Sequence, residues 1–462
     1  MKKIITLLVS IFLLINLFNC TEKDGIPKDV EIQNFVWKAM NLYYLWQEDV
    51  ADLQDNRFVS QDELNSFLND KTPENLFNVL LSEQDRFSWI VDDYIALENL
   101  FAGVTLNNGM EFGLKAIADD VQQVFGYVRY VIPNSDASQK NVHRGQIIYG
   151  IDGEQLTRAN YKRLLFKNDT YTVDFGTYSF NQVAQIVPNG EHITLVKEEL
   201  TENPVNTVTI NQIGGHKIGY LFYNQFVGQF DNDLNNAFEQ FKNENITDLV
   251  LDLRYNGGGL VTTAISLASM ITGQFSGELY TTLSRNEKLN GVLGIQTANF
   301  ADNLSNGNAI NHLNLNQVYV LVSGSTASAS ELIINGLKPY IDVKLIGTQT
   351  VGKAVGSVTL YDSDDYGREG ANTNHTYAIQ PIVTELTNKL GENNHVGFIP
   401  NIILPENFAN LGVIGDINEP LFATAIAEIT ANRKPIPTIE KLPSAANSKM
   451  HNAQNNMFID LK

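Results

Sequence analysis

Apolar residues recur at intervals of three and four between residues 30 and 46, at Ile32, Phe35, Val36, Ala39, Met40, Tyr43 and Trp46. That period predicts an amphipathic helix whose aromatic stripe packs into a core. Thr72-Pro73-Glu74 reads as an N-cap followed by proline in the first turn, so a second helix is expected through Leu81. Between about 110 and 198 the pattern changes to short strands, at 112–116, 124–132 and 145–153, the last closed by Asp152-Gly153 as a hairpin turn; a short helix opens at Asp136. Residues 161–181 are less regular. From 207 onward strand-like runs at 207–210, 218–221, 248–253, 318–322 and 343–346 alternate with helical patterns at 232–243, 261–271 and 332–337. Such alternation predicts parallel αβ units. Residues 275–316 are Asn/Gly-rich and long for a plain connection, which suggests a substrate-side flap or a mobile surface loop.

Two turns in the αβ half carry chemistry. In the first, the strand at 248–253 ends in Arg254-Tyr255-Asn256-Gly257-Gly258-Gly259, where glycines let backbone amides approach a reacting carbonyl closely. No Gly-Lys-Ser/Thr follows, so a phosphate-binding P-loop is excluded. In the second, Ser323-Gly324-Ser325-Thr326-Ala327-Ser328-Ala329-Ser330-Glu331 leads from a buried strand into a helix with open amides at its start. Lys353 lies 25 residues beyond Ser328, enough for helix, turn and strand to return the chain beside it. A lysine can take a serine's proton only when neutral, which requires its pKa to fall by roughly 3 units, about 4 kcal/mol of desolvation. The apolar flank of Val351 and Val355 suits that. The plainer alternative has Ser328 capping a helix and Lys353 solvated in a loop.

Taken in order, Leu251-Asp252-Leu253-Arg254-Tyr255-Asn256-Gly257-Gly258-Gly259, Ser328-Ala329-Ser330-Glu331 and Thr350-Val351-Gly352-Lys353 resemble the S41 family of C-terminal processing serine peptidases. The resemblance implies Ser328 as nucleophile, Lys353 as general base, and amides near Gly258 and of Ala329 as an oxyanion hole. Ser330 is then a helix-start residue. Many members carry a lysine-orienting glutamine four residues after the lysine; this chain has Ser357 there. Glu83 to Trp89 resembles the segment before the PDZ domain of such enzymes. Val131 to Ala137 followed by Arg144 to Ile148 resembles the PDZ domain itself, with Glu111-Phe112-Gly113-Leu114 where the carboxylate-binding loop falls. Phe112, Gly113 and Leu114 are accordingly the expected peptide-binding residues. Gly397 to Asn401 and Asp416 to Ala425 resemble the closing strand and helix.

The implied fold is an α/β multidomain one: a helical N-terminal domain over 30–105, a PDZ-like β domain over 106–200, and an S41 (ClpP/crotonase-like) α/β catalytic domain over 201–435. The implied partners are polypeptides with free apolar C-termini, with no metal or organic cofactor. Two rivals stay open: a peptide- or ligand-binding protein on this fold with a weakened Ser-Lys pair, and a crotonase-like acyl enzyme. The seven histidines form neither a Gly-x-Ser-x-Gly elbow context nor a His-Glu-x-x-His pair, so a Ser-His-Asp enzyme or zinc peptidase lacks support.

Composition narrows the partners. Of 462 residues 43% are apolar and 18% charged, a globular balance, and the net charge of −20 without a Lys/Arg block argues against nucleic acid. At the start, Lys2-Lys3 precedes an apolar run at 4–18 too short for a comfortable membrane span, which predicts a signal peptide over 1–19. Cys20 is the only cysteine, so no intrachain disulfide forms. Leu17-Phe18-Asn19-Cys20 looks like a bacterial lipoprotein cleavage box, making Cys20 the expected lipid attachment and residues 20–29 a tether to the membrane. An ordinary signal peptide with an incidental cysteine is the alternative. Pro435, Pro437, Pro443 and an Asn/Ser-rich end predict a mobile tail over 436–462.

Overall fold

The structure, a computed structural model, describes residues 26–117, 122–181, 183–432, 439, 442–449 and 457–459. The expected signal peptide and Cys20 lie outside the described residues. At the centre is a six-stranded sheet in the order Val205–Ile213, His216–Tyr223, Asp248–Asp252, Gln317–Val322, Asp342–Gly347, Ile402–Ile403. The first pair is antiparallel and the remaining pairs are parallel. Alternate side chains feed opposite faces, as a period of two requires. Leu249, Leu251, Val318, Val320, Val343 and Leu345 face a core completed by helices Asp231–Asn243, Val261–Ile271 and Ala329–Leu337. Tyr220, Phe222, Val250, Leu321 and Ile346 face the helix Pro420–Ile429. Both faces are covered, which is why these strands read as continuous apolar runs.

Strands Asp248–Asp252, Gln317–Val322 and Asp342–Gly347 are neighbours and parallel. Their carboxyl ends therefore lie side by side, the usual place for a site in such sheets. The turn after Asp252 is held from beneath by Arg254, which is fully buried and contacts Asp252 at 2.7 Å and Glu419 at 2.6 Å. Arg144, from the turn before strand Ile147–Ile151, joins the cluster through Glu406 at 2.7 Å and the Tyr255 hydroxyl at 2.7 Å. These arginines hold the Glu406 carboxyl at about 2, well below its usual range, against the opposing effect of its burial.

The β region between 104 and 201 contains the sheet path Met110–Ala116, Val124–Val131, Ile147–Ile151, Thr170–Asn181, Val183–Val196. Residues 161–181, unpatterned in sequence, form the helix Tyr161–Phe166 and the first arm of that long hairpin. The expected loop at Glu111-Phe112-Gly113-Leu114 is instead the middle of strand Met110–Ala116, and it is buried. The stretch 275–316 is also ordered: strand Leu279–Ser284, helix Glu287–Leu293 and strand Gln296–Asn299. Its apolar residues Tyr280, Leu283, Phe300, Leu304, Ile310 and Leu315 join the main core, but they are spaced too irregularly among Asn and Gly to show a strand or helix period.

Helices Glu31–Tyr43 and Pro73–Val79 form as expected, with the Thr72 side chain accepting from Asn75 N; a further helix, Gln61–Leu68, joins them, capped by the Ser60 side chain. They do not close a core of their own. Val358, Leu360, Ile379 and Val383 complete it, so the helical region is fused to the strands that follow Lys353. Much of the expected mobile tail over 436–462 lies outside the described residues, but the described parts are paired strands. Ser444–Asn447 adds to the edge of Met110–Ala116, and Met457–Phe458 is an inner strand of a second six-stranded sheet.

Candidate functional site

Ser328 is the residue immediately before helix Ala329–Leu337, and its backbone sits at φ 65°, ψ −118°. A non-glycine residue there costs on the order of 1–3 kcal/mol and persists only where the surroundings impose it. The surroundings are hydrogen bonds. Ala327 N donates to Asn256 O, Ser330 Oγ to the same carbonyl, and Thr326 Oγ1 to Leu253 O, tying the serine turn to the glycine turn. Ser328 is fully buried; its Oγ sits over the Glu331 amide in a capping-box arrangement, but the contact falls short of hydrogen-bond geometry and the Oγ has no other partner among the described residues.

Lys353 arrives on the third turn, which crosses over at Gly352. Gly352 has φ +83°, and a Cβ there would lie 2.5 Å from both Gly397 N and His395 O. Only glycine fits that crossing. Glu331, one turn into the helix, fixes this segment relative to Ser328. Its Oε2 accepts from Ser328 N at 3.0 Å and Lys353 N at 2.8 Å; its Oε1 accepts from Gly352 N at 2.7 Å and Thr350 Oγ1 at 2.5 Å. One buried carboxylate thus sets the spacing of both backbones.

Burial pushes the Lys353 amine down to about 7, and the charges of Asp85 and Glu331 oppose that only in part. The lysine is 2% exposed, and its Nζ lies 4.8 Å from the centre of the Phe87 ring. Arg86 Nη2 donates to Gly352 O at 3.1 Å, so the segment before strand Trp89–Val91 walls the lysine in. Asp85 is held by Phe87 N, Ser88 N and the Tyr44 hydroxyl. Removing its charge removes a stabiliser of the ammonium form. The Asp85→Asn variant is therefore expected to shift the Lys353-dependent limb of the pH–rate profile to lower pH, checked by kcat/KM against pH. An unmoved limb would separate Asp85 from the lysine.

Among the other sequence-derived candidates, Ala329 supplies a first-turn amide, which has no intrahelical acceptor. Gly258 differs from expectation: its N–H donates to Asn256 Oδ1 at 2.9 Å, so it is satisfied in this conformation. Gly259 has φ +134°, and a Cβ there would come within 2.2 Å of Phe226 O. Ser357 is buried on strand Val355–Ser357, its Oγ 2.7 Å from Gln380 Oε1 and 3.2 Å from Met457 O. Phe112, Gly113 and Leu114 lie on the separate β sheet, at the edge taken by Ser444–Asn447. Glu331, Asn256, Asp85 and Phe87 were given no role by sequence. Only Glu331 left a trace, as the fourth residue of a Ser-x-x-Glu start.

The sequence model of Peptidase family S41 matches residues 217–402, and that of the peptidase S41 N-terminal domain matches 31–89; together they cover just over half of the chain. The chain belongs to peptidase family S41. Both segments that wall the lysine, around Phe87 and Lys353, fall within these matches. A solved candidate S41 protease from Bacteroides fragilis NCTC 9343 is similar over 87% of this chain and 98% of its own, at 26% identity and a TM-score of 0.68. A probable CtpA-like serine protease of Staphylococcus aureus is 27% identical over 256 residues, 53% of this chain and 48% of its own length. Carboxyl-terminal-processing peptidase 3, chloroplastic, of Arabidopsis thaliana is 25% identical over 233 residues, 48% of this chain and 41% of its own. The match thus spans about half the length of these curated relatives or less.

Proposed function

We propose that this chain is a serine endopeptidase acting through Ser328 and Lys353 on extended or unfolded polypeptides. The observation that carries the reading is the joint placement of the two groups. A serine held in a strained backbone with an unpartnered buried Oγ, and a lysine pushed down to about 7, share one carboxylate through their main chains. In the proposed reaction the neutral Lys353 amine takes the Ser328 hydroxyl proton as Oγ bonds to the scissile carbonyl carbon. The carbonyl electron pair moves to oxygen, stabilised by the Ala329 amide by about 3 kcal/mol. Gly258 becomes a second donor when Asn256 Oδ1 releases its N–H. Collapse breaks the C–N bond, and the departing amine carries away the proton held by Lys353. Water, deprotonated by the same lysine, then releases the acyl group and restores Ser328.

The sheet containing Phe112, Gly113 and Leu114 is assigned as a PDZ-like module that presents chain ends. Apolar free C-termini are the substrate class this supports. The charged start, apolar run and Cys20 support export and lipid anchoring outside the cytoplasm.

The test is prolonged incubation of the form beginning after Cys20 with an unfolded protein that ends in apolar residues, between about pH 6 and 10. Fragments are read by mass spectrometry, alongside labelling with a fluorophosphonate. Fragments together with a single adduct on Ser328 are expected. No fragments and no adduct anywhere in that range would sink the reading.

A further inference from the structure

Strand Met110–Ala116 pairs on one side with Val124–Val131 and on the other with Ser444–Asn447, antiparallel, with Ala446 opposite Leu114 and Asn447 opposite Gly113. Main-chain bonds extend the pairing at both ends: Ala116 N donates to Pro443 O, and Ser448 N to Phe112 O. The Ser448 hydroxyl lies 3.0 Å from Phe112 N. Ala445 and Ala446 pack on the core that holds Phe112, Leu114, Leu164 and Leu165. This is how an extended peptide is captured by a sheet edge with a pocket beneath it. The captured segment belongs to the chain itself.

A few residues later the same segment enters the site region. Met457–Phe458 runs parallel to Gly259–Leu260 on one side and pairs through Phe458 with Ser357 on the other. Ile459 N donates to Ser357 O at 3.0 Å. Met457 is 1% exposed, and Phe458 stacks on Phe101 with ring centres 4.1 Å apart. The segment therefore fills the slot between the glycine turn and the strand that follows Lys353, while Ser328 is fully buried.

We propose that the described residues 442–449 and 457–459 are two parts of a built-in peptide ligand. They occupy the peptide-accepting edge and the slot beside the catalytic turns at once, and they compete in cis with any incoming extended chain. The competition as regulation rests on the peptidase reading above, but the occupancy does not. A tethered segment acts at an effective concentration on the order of mM, so a free polypeptide at micromolar concentration is excluded unless it binds about 10³-fold better. The segment seated on the edge carries small residues, Ser444 to Asn447, over an apolar floor, so the external chains the edge fits are extended segments with Ala- or Ser-sized side chains.

The test compares the chain from residue 21 onward with a form ended at residue 440. The probe is a fluorescein-labelled synthetic peptide of residues 442–459, read by anisotropy; cleavage of an unfolded substrate is measured in parallel. The shortened form is expected to bind the probe at least tenfold more tightly and to cleave severalfold faster. Should it not fold, a full-length Ala446→Asp/Phe458→Asp variant, which keeps the tether but cannot seat it, takes its place with the same readouts. Equal probe binding by both forms, or binding by neither, overturns the proposal whatever cleavage shows. A binding difference with no cleavage by either form upholds the occupancy and overturns the peptidase reading alone. A binding difference with equal cleavage rates overturns the competition.

Discussion

Lys353→Met is expected to abolish peptide cleavage, by about 10³-fold or more, while raising the free energy of unfolding near neutral pH. The two effects share one cause. Folding moves an amine that is protonated at its ordinary 10.5 into a buried site where its pKa is about 7. At about 1.4 kcal/mol per unit, that mismatch costs folding at most roughly 5 kcal/mol. Methionine has a similar length and no charge to desolvate. Allowing for the lost contact with Phe87, a net gain of about 2–4 kcal/mol is expected. The sign with pH follows from proton counting. Between 7 and 10.5 the unfolded chain holds the extra proton, so wild-type stability rises with pH; below 7 the penalty is fully present, and above 10.5 it is gone. The variant's advantage should therefore be largest at about pH 6 and vanish near pH 11, measured by urea denaturation across that range. A variant that is less stable at pH 6, or an advantage independent of pH, would show that burial does not hold the amine neutral.

Stability is thus given up at two adjacent points, at the lysine through desolvation and at Ser328 through a backbone conformation that favours glycine. Neither could be read from the residue names. The strands at 248–252, 317–322 and 342–347 were legible because both faces are buried and each run is soon followed by a turn rich in glycine or serine. The relation between Ser328 and Lys353 was legible only as a spacing and a resemblance. What sets the lysine's environment comes from Asp85, Arg86 and Phe87, whose approach depends on tertiary packing that leaves no local signal. The tail was misread for a physical reason. Ser444–Asn447 is held largely by main-chain pairing along a strand edge, which any non-proline residue can supply, so an Asn/Ser-rich composition does not forbid order there, and Met457–Phe458 adds two buried apolar side chains between strands. Gly258 shows the converse: the glycine was legible, but the bond of its amide to Asn256 was not.

Glu331→Gln is expected to cost both fold and activity, because the site uses this carboxylate purely as an acceptor. Four donors converge on it: the amides of Ser328, Gly352 and Lys353, and the Thr350 hydroxyl. A glutamine has one acceptor oxygen and an NH2 group that must face one of the two donor pairs. Two of the four bonds are then lost, and buried donors go unpaired at about 1–3 kcal/mol each, for a loss of about 2–6 kcal/mol in all. Relief of the NH2 clash requires the 350–353 turn to move away from Ser328, and displacement of about 1 Å at a reacting pair costs on the order of 10²-fold. The glutamine also removes a negative charge that opposes the fall in the Lys353 pKa. The acid limb of kcat/KM is therefore expected to shift to lower pH as its plateau falls. A residue that only braced the fold would lower stability and leave that limb in place. The shift, measured on the folded fraction, is the deciding observation; an unmoved limb with cleavage within threefold of wild type would remove Glu331 from the positioning of the lysine.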